Sequence, residues 1–338
     1  MDSLTQIVLG AAVGEATISK KVGNKAILWG AIAGTIPDLD IIIKYFTDTV
    51  TANELHRGFS HSILFCIIAA PIFGWLVHKI SGNAEANWKD WTRLMFWGLF
   101  THPILDAFTT WGTQLFWPHP YKIAFKNIFV IDPLYTIPFL ICVIIAMTYE
   151  RTNPKRKKIN HLGLILSTSY LVLTLLFKWY TFNVFEQNLK NQQRSYNSIQ
   201  TKPTPLNSIL WNANVETQNA YLIGDYSLFD GNTPVQFAKY PKNHELLGKL
   251  KDHPLILRLI DLTEGWYTIE KVGNTFYFND LRFGLYGTGK ANDRFVFSYK
   301  LYYDDQGKLQ AKERDPDIEK APELLKKLVK RIFGKKEL

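Results

Sequence analysis

Apolar residues come in long runs up to about residue 182 of this chain and in short alternating stretches after it. Six of the runs approach the roughly 17–25 residues that a helix needs to span hydrocarbon. They are Leu4–Ile18, Ala26–Phe46, Ile63–Ile80, Leu94–Thr110, Asp132–Tyr149 and Leu162–Tyr180. The pattern predicts a polytopic α-helical membrane bundle of about six helices. The first run is short and rich in Gly and Ala, which makes it the weakest candidate to cross. No basic stretch precedes it and Glu15 interrupts its end, which argues against a cleavable signal peptide. Gly10 with Gly14, and Gly30 with Gly34, form small-xxx-small faces, so the first two helices are expected to pack closely.

The second half has a different period. The sixth helix is expected to continue as a polar stalk through Asn197, until Thr201-Lys-Pro-Thr-Pro205 breaks it. Aromatic-rich alternation then predicts strands at Ser208–Gln218, Ala220–Leu228, Trp266–Val272, Thr275–Phe283 and Phe295–Tyr303. Gly273-Asn274 reads as a hairpin turn, and one or two helices fall around His244–Leu262. The resulting division is a transmembrane region over 1–182, a helical stalk and linker over 183–205, and a small soluble α+β domain over 206–338. The tail Glu323–Lys336 is amphipathic and basic, suited to a lipid surface or to capping the domain. No repeat, P-loop or dinucleotide fingerprint interrupts this reading.

Composition refines the picture in two places. With 338 residues, 47% hydrophobic and 20% charged, the chain is neither disordered nor fibrous, and its mean hydropathy of -0.07 averages two unlike halves. Cys66 and Cys142 both sit in apolar runs, which excludes a disulfide scaffold and a cysteine-rich zinc module. The net charge of +9 would suit an acidic partner. The positive residues of the first half, however, lie in short loops between apolar runs. The partner expected is therefore the lipid bilayer and not nucleic acid. Loops 18–25, 79–93 and 150–160 carry eleven Lys and Arg, against three in loops 47–58 and 111–131. The positive-inside rule puts the eleven in the cytoplasm, and six crossings would return the carboxy-terminal domain to the outside.

Ionisable groups inside apolar segments are costly, about 2.5–3.5 kcal/mol for Asp or Lys on the insertion scale, so those present need a reason. This chain places Pro37-Asp38-Leu39-Asp40, His56-Arg57-Gly58-Phe59-Ser60-His61-Ser62 and His102-Pro103-Ile104-Leu105-Asp106 there. On the six-helix topology, Asp38, Asp40, His61, His102 and Asp106 all fall within about 12 Å of the outer boundary. Pro37 breaks regular helix geometry, allowing Asp38 and Asp40 to face one site, and His102 and Asp106 share a helix face at i, i+4. Mixed imidazole and carboxylate suit zinc first, with manganese or iron next. Candidate ligands for one or two divalent ions are Asp38, Asp40, His56, His61, His102 and Asp106. Arg57 is the candidate to grip a phosphate or carboxylate of a substrate. Asp132, before Pro133, reads equally as a helix cap, and Glu15 as half of a buried pair.

Together with Thr5-Gln6 and Gly10, these motifs resemble the membrane-bound metal-dependent hydrolase family that includes the YbcI- and YdjM-like, LexA-binding inner-membrane proteins of bacteria. The resemblance covers roughly residues 1–150. It implies a multi-pass bacterial inner-membrane protein whose His and Asp residues form a hydrolase metal site. One departure stands out: the family pattern carries His where this chain has Gln6. The expected activity is a membrane-embedded, metal-dependent hydrolase acting at the outer face of the membrane on an amphiphilic phosphoester or ester. Asp40 or Asp106 would serve as its general base. The alternatives are an ion- or proton-coupled transporter, and a non-catalytic scaffold stabilised by a metal.

Overall fold

The computed structural model describes residues 1–82, 85–285, 294–315 and 321–335. Its helices are α1 (Ser3–Val22), α2 (Asn24–Thr35), α3 (Thr49–Leu55), α4 (Ile63–Ser81), α5 (Trp88–Asp106), α6 (Pro133–Met147), α7 (Pro154–Asn191), α8 (Pro254–Leu262) and α9 (Ala321–Ile332). Its strands are β1 (Ser198–Pro203), β2 (Leu210–Glu216), β3 (Ala220–Ser227), β4 (Phe237–Pro241), β5 (Tyr267–Val272), β6 (Thr275–Leu285), β7 (Phe295–Tyr303) and β8 (Leu309–Glu313). The chain forms two compact units. One comprises Met1–Tyr45, Leu55–Leu176 and Pro205–Asn207, and the other Phe46–Glu54, Phe177–Thr204 and Ser208–Leu338.

In the helical unit α1 is central. Asp2 caps it, its carboxylate accepting from the Thr5 amide. Val8, Leu9, Ala12 and Val13 pack with Leu105, Tyr135, Phe139 and Val143, while Ile18 and Val22 join Ala26, Cys66, Trp91, Leu94 and Leu99. Contact with α2 is made by backbone, because a Cβ on Gly10 would stand 2.3 Å from the Gly30 carbonyl oxygen, and one on Gly34 2.5 Å from that of Gln6. The small-xxx-small faces thus meet as expected. Glu15 pairs with Arg156 of α7 through Nε at 2.7 Å and Nη2 at 2.5 Å, both residues buried. Outward, the unit presents Leu28 and Ile32, Ile67 and Ile72, Ile137 and Ile141, and Ile165 and Leu173, a surface that lipid solvates and water does not.

Six crossings are not supported. Among the described residues α4 and α7 are long and apolar enough to span, and α2 with the 3-10 helix Pro37–Tyr45, bent by 44°, adds a third if the pair is one broken span. The remaining runs fail for separate reasons. α6 is only 15 residues long. α1 and α5 have the length, but Thr5, Gln6 and Glu15 dilute the first and Asp90, Arg93 and His102 the second. Many of their apolar residues, among them Val8, Ala12, Leu94 and Leu99, pack against protein.

The other unit holds two antiparallel four-stranded sheets, ordered β1-β2-β3-β4 and β5-β6-β7-β8. Phe185 and Leu189 near the end of α7 are buried against Trp211, Val215, Leu222 and Tyr226 of the first sheet. Tyr221, Ile223, Trp266, Leu281 and Phe295 form a core shared by both sheets. Lys202 and Asn214 tie them further, each donating to the Leu281 carbonyl at 3.0 and 2.6 Å. With α8, α9 and the 3-10 helix His244–Asp252 among its short helices, the unit is a two-sheet β domain more than the α+β domain expected. The Gly273-Asn274 hairpin is present, Val272 pairing with Thr275 and Gly273 taking φ 60°. Three strands lack the alternation that would have announced them: β1, ending on Pro203 at a sheet edge, β4 and β8. α7 stops at Asn191, and the Thr201–Pro203 stretch expected only to break it pairs with β2 instead. Lys336, the last residue of the predicted amphipathic tail, lies outside the described residues.

The glycine seam gives a direct test. Gly30→Ala forces a methyl to 2.2 Å from the Gly10 carbonyl oxygen. A loss of stability of about 1–3 kcal/mol or more is expected, against about ±0.5 kcal/mol for the lipid-facing Ile32→Val. Thermal unfolding of the two variants in detergent checks it.

Candidate metal centre

Three interruptions of regular helix bring the polar groups together. Pro37 cannot continue α2, and the chain goes on as a 3-10 helix that carries Asp38 and Asp40. Before α4, a single 3-10 turn, Phe59–His61, sets His61 just ahead of Ser62, whose hydroxyl caps α4 by accepting from the Phe65 amide. Arg57 precedes that turn with φ 60°, a left-handed conformation unusual outside glycine. Its amide is held by Asp40 Oδ2 at 2.9 Å and its carbonyl by the Gln114 amide at 3.1 Å, which stabilises the conformation. The last turn and a half of α5 supplies His102 and Asp106 on one face.

Asp38, His61, His102 and Asp106 each offer one ligand atom within 4.8 Å of the others. His61 Nε2 lies 3.1 Å from His102 Nε2 and 3.5 Å from both Asp38 Oδ1 and Asp106 Oδ2. His102 Nε2 is 3.4 Å from Asp38 and 3.7 Å from Asp106. His61, His102 and Asp106 are fully buried, whereas the Asp38 side chain keeps 24% of its exposure.

Hydrogen bonding around the cluster decides the tautomers. A carbonyl can only accept, so His102 Nδ1, 2.6 Å from the Gly34 oxygen, carries the proton and leaves Nε2 bare. The Ser60 hydroxyl donates to Asp40 Oδ2 at 2.9 Å, and its oxygen can then accept from His61 Nδ1, also at 2.9 Å. A neutral His61 that donates from Nδ1 in this way leaves its Nε2 bare as well. Two imidazole lone pairs and two carboxylate oxygens therefore point at one small volume, and Asp106 Oδ2 is buried without a hydrogen-bond partner. One shared proton would serve only two of these four atoms, whereas a dication serves all four. Each histidine fixed through its outer nitrogen to a carbonyl or carboxylate is also the arrangement that orients metal ligands. The residues fit one divalent ion.

The other candidates stand around this group. Asp40 takes His56 Nδ1 at 2.9 Å on Oδ1 and the Arg57 amide and Ser60 hydroxyl on Oδ2, so it and His56 are not among the four. Four donor atoms suit one ion and not two. Arg57, expected to reach a substrate, is buried. Its Nε lies 3.0 Å from Asp106 Oδ2 as an ion pair off the hydrogen-bond line, and its Nη1 donates to Thr109 Oγ1 at 2.7 Å. Gln6 donates to Asp106 Oδ1 at 3.0 Å, leaving its own buried Oε1 without a partner. The amino group of Met1 also meets Asp106 Oδ1. Asp132 caps α6, accepting from the Leu134 amide at 2.9 Å, and receives the Tyr170 hydroxyl at 2.9 Å. Ser60 and Thr109 were not singled out in the sequence. Ser60 lies inside the His-Arg-Gly-Phe-Ser-His motif, and Thr109 follows Asp106 by three, which are the signals that could have marked them.

Comparison with known proteins places this geometry in a family. No curated protein and no solved structure matches the chain. A family profile described as YdjM inner membrane protein matches residues 1–183, the whole stretch that contains the four-residue group. Covering more than half of the sequence, that match makes the chain a member of the YdjM inner membrane protein family.

Proposed function

We propose that this protein is a membrane-embedded, metal-dependent hydrolase acting on an amphiphilic phosphoester or ester at the outer face of the cytoplasmic membrane. The observation that carries the reading is the convergence of four lone-pair donors from Asp38, His61, His102 and Asp106 with both histidine tautomers already fixed. Zinc suits two imidazoles and two carboxylates best, with manganese or iron next. A divalent ion held there supplies Lewis acidity and acidifies a bound water.

The chain's own residues divide the remaining work. Asp106 is enclosed by Arg57, Gln6 and the Met1 amine, and Asp40 by three donors, so neither is free to move a proton. Asp38 is the open member of the four, and it replaces Asp40 and Asp106 as the carboxylate that accepts the proton of an attacking water. Asp40 acts instead through Ser60 by fixing His61. Arg57 balances the charge of Asp106 in place of gripping a substrate. Around Asp38 the 3-10 helix exposes Leu39, Ile41 and Ile42, which would accompany an acyl chain while the polar head meets the metal. A phospholipid, a lipid-linked phosphate or a lipid ester fits that pairing.

One crossing is enough to support the outer placement. Loop 150–160 carries five Lys and Arg, which favours the cytoplasm, and α7 is long and apolar enough to span. The chain after α7 then lies outside, whatever α1, α5 and α6 do. α4 follows the Asp38 and His61 segments and leads toward loop 79–93, whose three basic residues favour the cytoplasm and so support an outer position for those segments.

Two expectations follow. Detergent-purified protein should hold about one divalent ion per chain, lost in the His61→Ala, His102→Ala double variant, and Ser60→Ala should weaken metal affinity roughly 10–100-fold. Metal analysis showing a trace content unchanged by the double variant would refute the site, and stoichiometric metal without turnover on any lipid ester would leave the scaffold reading in its place. Protease added to intact spheroplasts should remove a carboxy-terminal tag, and a protected tag would put the domain in the cytoplasm.

A further inference from the structure

Helix α9 is attached to its domain in an unusual way. A helix with an apolar stripe normally buries that stripe. Here Leu324, Leu328 and Ile332 are only half-buried and Arg331 is the buried residue, pairing with Asp225 Oδ1 at 2.9 Å and with Asp230 at 2.8 and 2.5 Å. The Ser227 hydroxyl donates to the Ile332 carbonyl at 2.5 Å and fixes the same end. The orientation of α9 is thus set by ion pairs and hydrogen bonds, and Leu325 and Val329 are left facing out. Phe333, just beyond the helix, stacks on Phe229 with ring centroids 5.9 Å apart, and these two rings are 62% and 59% exposed. Lys326, Lys330 and Lys335 are exposed beside this patch.

Its position supplies the second observation. Ser227 and Asp230 follow directly on Tyr226, whose hydroxyl lies 3.4 Å from that of Tyr180. Tyr180 ends the apolar run of α7, and its neighbour Trp179 is 69% exposed. Trp and Tyr at the end of a span mark the headgroup level. The patch therefore adjoins, within one compact unit, the point where α7 leaves hydrocarbon.

We propose that α9, with Phe229 and Phe333, is a lipid-docking surface that lies on an anionic bilayer leaflet. Leu325, Val329 and the two phenylalanines would enter the boundary between headgroups and acyl chains. Lys326, Lys330 and Lys335 would meet the phosphates. The chemistry matches both parts of that environment, an apolar edge flanked by cations, and it continues the aromatic belt of α7. The inference does not depend on the metal site.

Depth measurement on the full chain tests it. Spin labels are placed at Val329→Cys and, as a water-facing reference, at Asp305→Cys; the native Cys66 and Cys142 are buried. The protein is reconstituted in nanodiscs of phosphatidylcholine with phosphatidylglycerol, and of phosphatidylcholine alone. In the anionic discs the Val329 label should be several-fold more accessible to oxygen, relative to a water-soluble nickel chelate, than the Asp305 label. That preference should shrink in neutral discs and in a Lys326→Glu, Lys330→Glu background. A Val329 label as open to nickel as Asp305, or one equally immersed in both lipids, overturns the proposal. Shielding from both reagents that grows with protein concentration overturns it in favour of a second copy of the chain.

Discussion

At the glycine seam α1 and α2 meet backbone to backbone, and the helical unit depends on that contact. At Gly10, Gly14, Gly30 and Gly34 no side chain separates the two helices, and each Cβ would fall within 2.1–2.5 Å of a carbonyl oxygen on the other. Such closeness compensates for the missing hydrophobic drive between helices in lipid, where van der Waals packing must hold them. It also sets the site. Gly34 turns its carbonyl to His102 Nδ1, and Gln6, beside that glycine, reaches Asp106. α5 closes against the same seam, since a Cβ on Gly98 would stand 2.6 Å from that of Ala33. The two candidate ligands on α5 are thus located by a backbone carbonyl and by a glutamine on the glycine seam.

A site built this way carries an electrostatic debt. Asp106, His61 and His102 are completely buried, and an unpaired charge in such surroundings is strongly unfavourable. Arg57 offsets part of it beside Asp106, at the cost of a left-handed backbone at its own position. Asp40 offsets that cost by accepting from the Arg57 amide while it also fixes His61 through Ser60. The excess of acceptors that remains at the centre is what a divalent ion would satisfy. Elsewhere the same unit resolves its charges by pairing, as Glu15 does with Arg156, and nothing is left over.

The β domain follows the rules of a water-soluble core. Buried charges here stand in ion-paired sets such as Arg282 with Asp280 and Glu264 or Arg331 with Asp225 and Asp230. Aromatic-rich alternation in the sequence made β2, β3, β5, β6 and β7 legible before folding, although burial along β2 and β3 is nearly continuous. β1, β4 and β8 were not: each is an edge strand, which pairs on one side and needs no strict alternation to be held, whereas the edge strand β5 was marked by its Gly273-Asn274 hairpin with β6.

Sequence alone determined the division into an apolar helical half and an aromatic β half, the small-residue faces of α1 and α2, and the motifs bearing the four residues that now stand together. These follow from composition, period and the cost of placing ionisable groups in apolar runs, all local properties of the chain. It could not separate a run that faces lipid from one that faces protein. α1 and α5 therefore looked like spans, although their apolar residues pack on neighbouring helices. Nor could it rank six candidate ligands. That required knowing which nitrogen of each histidine is already taken, by Gly34 for His102 and by Ser60 for His61, and that Asp40 is saturated by its neighbours. Hydrogen bonds between residues distant in the chain exist only once the helices have packed, so tertiary structure alone assigns Asp38, His61, His102 and Asp106 to one centre.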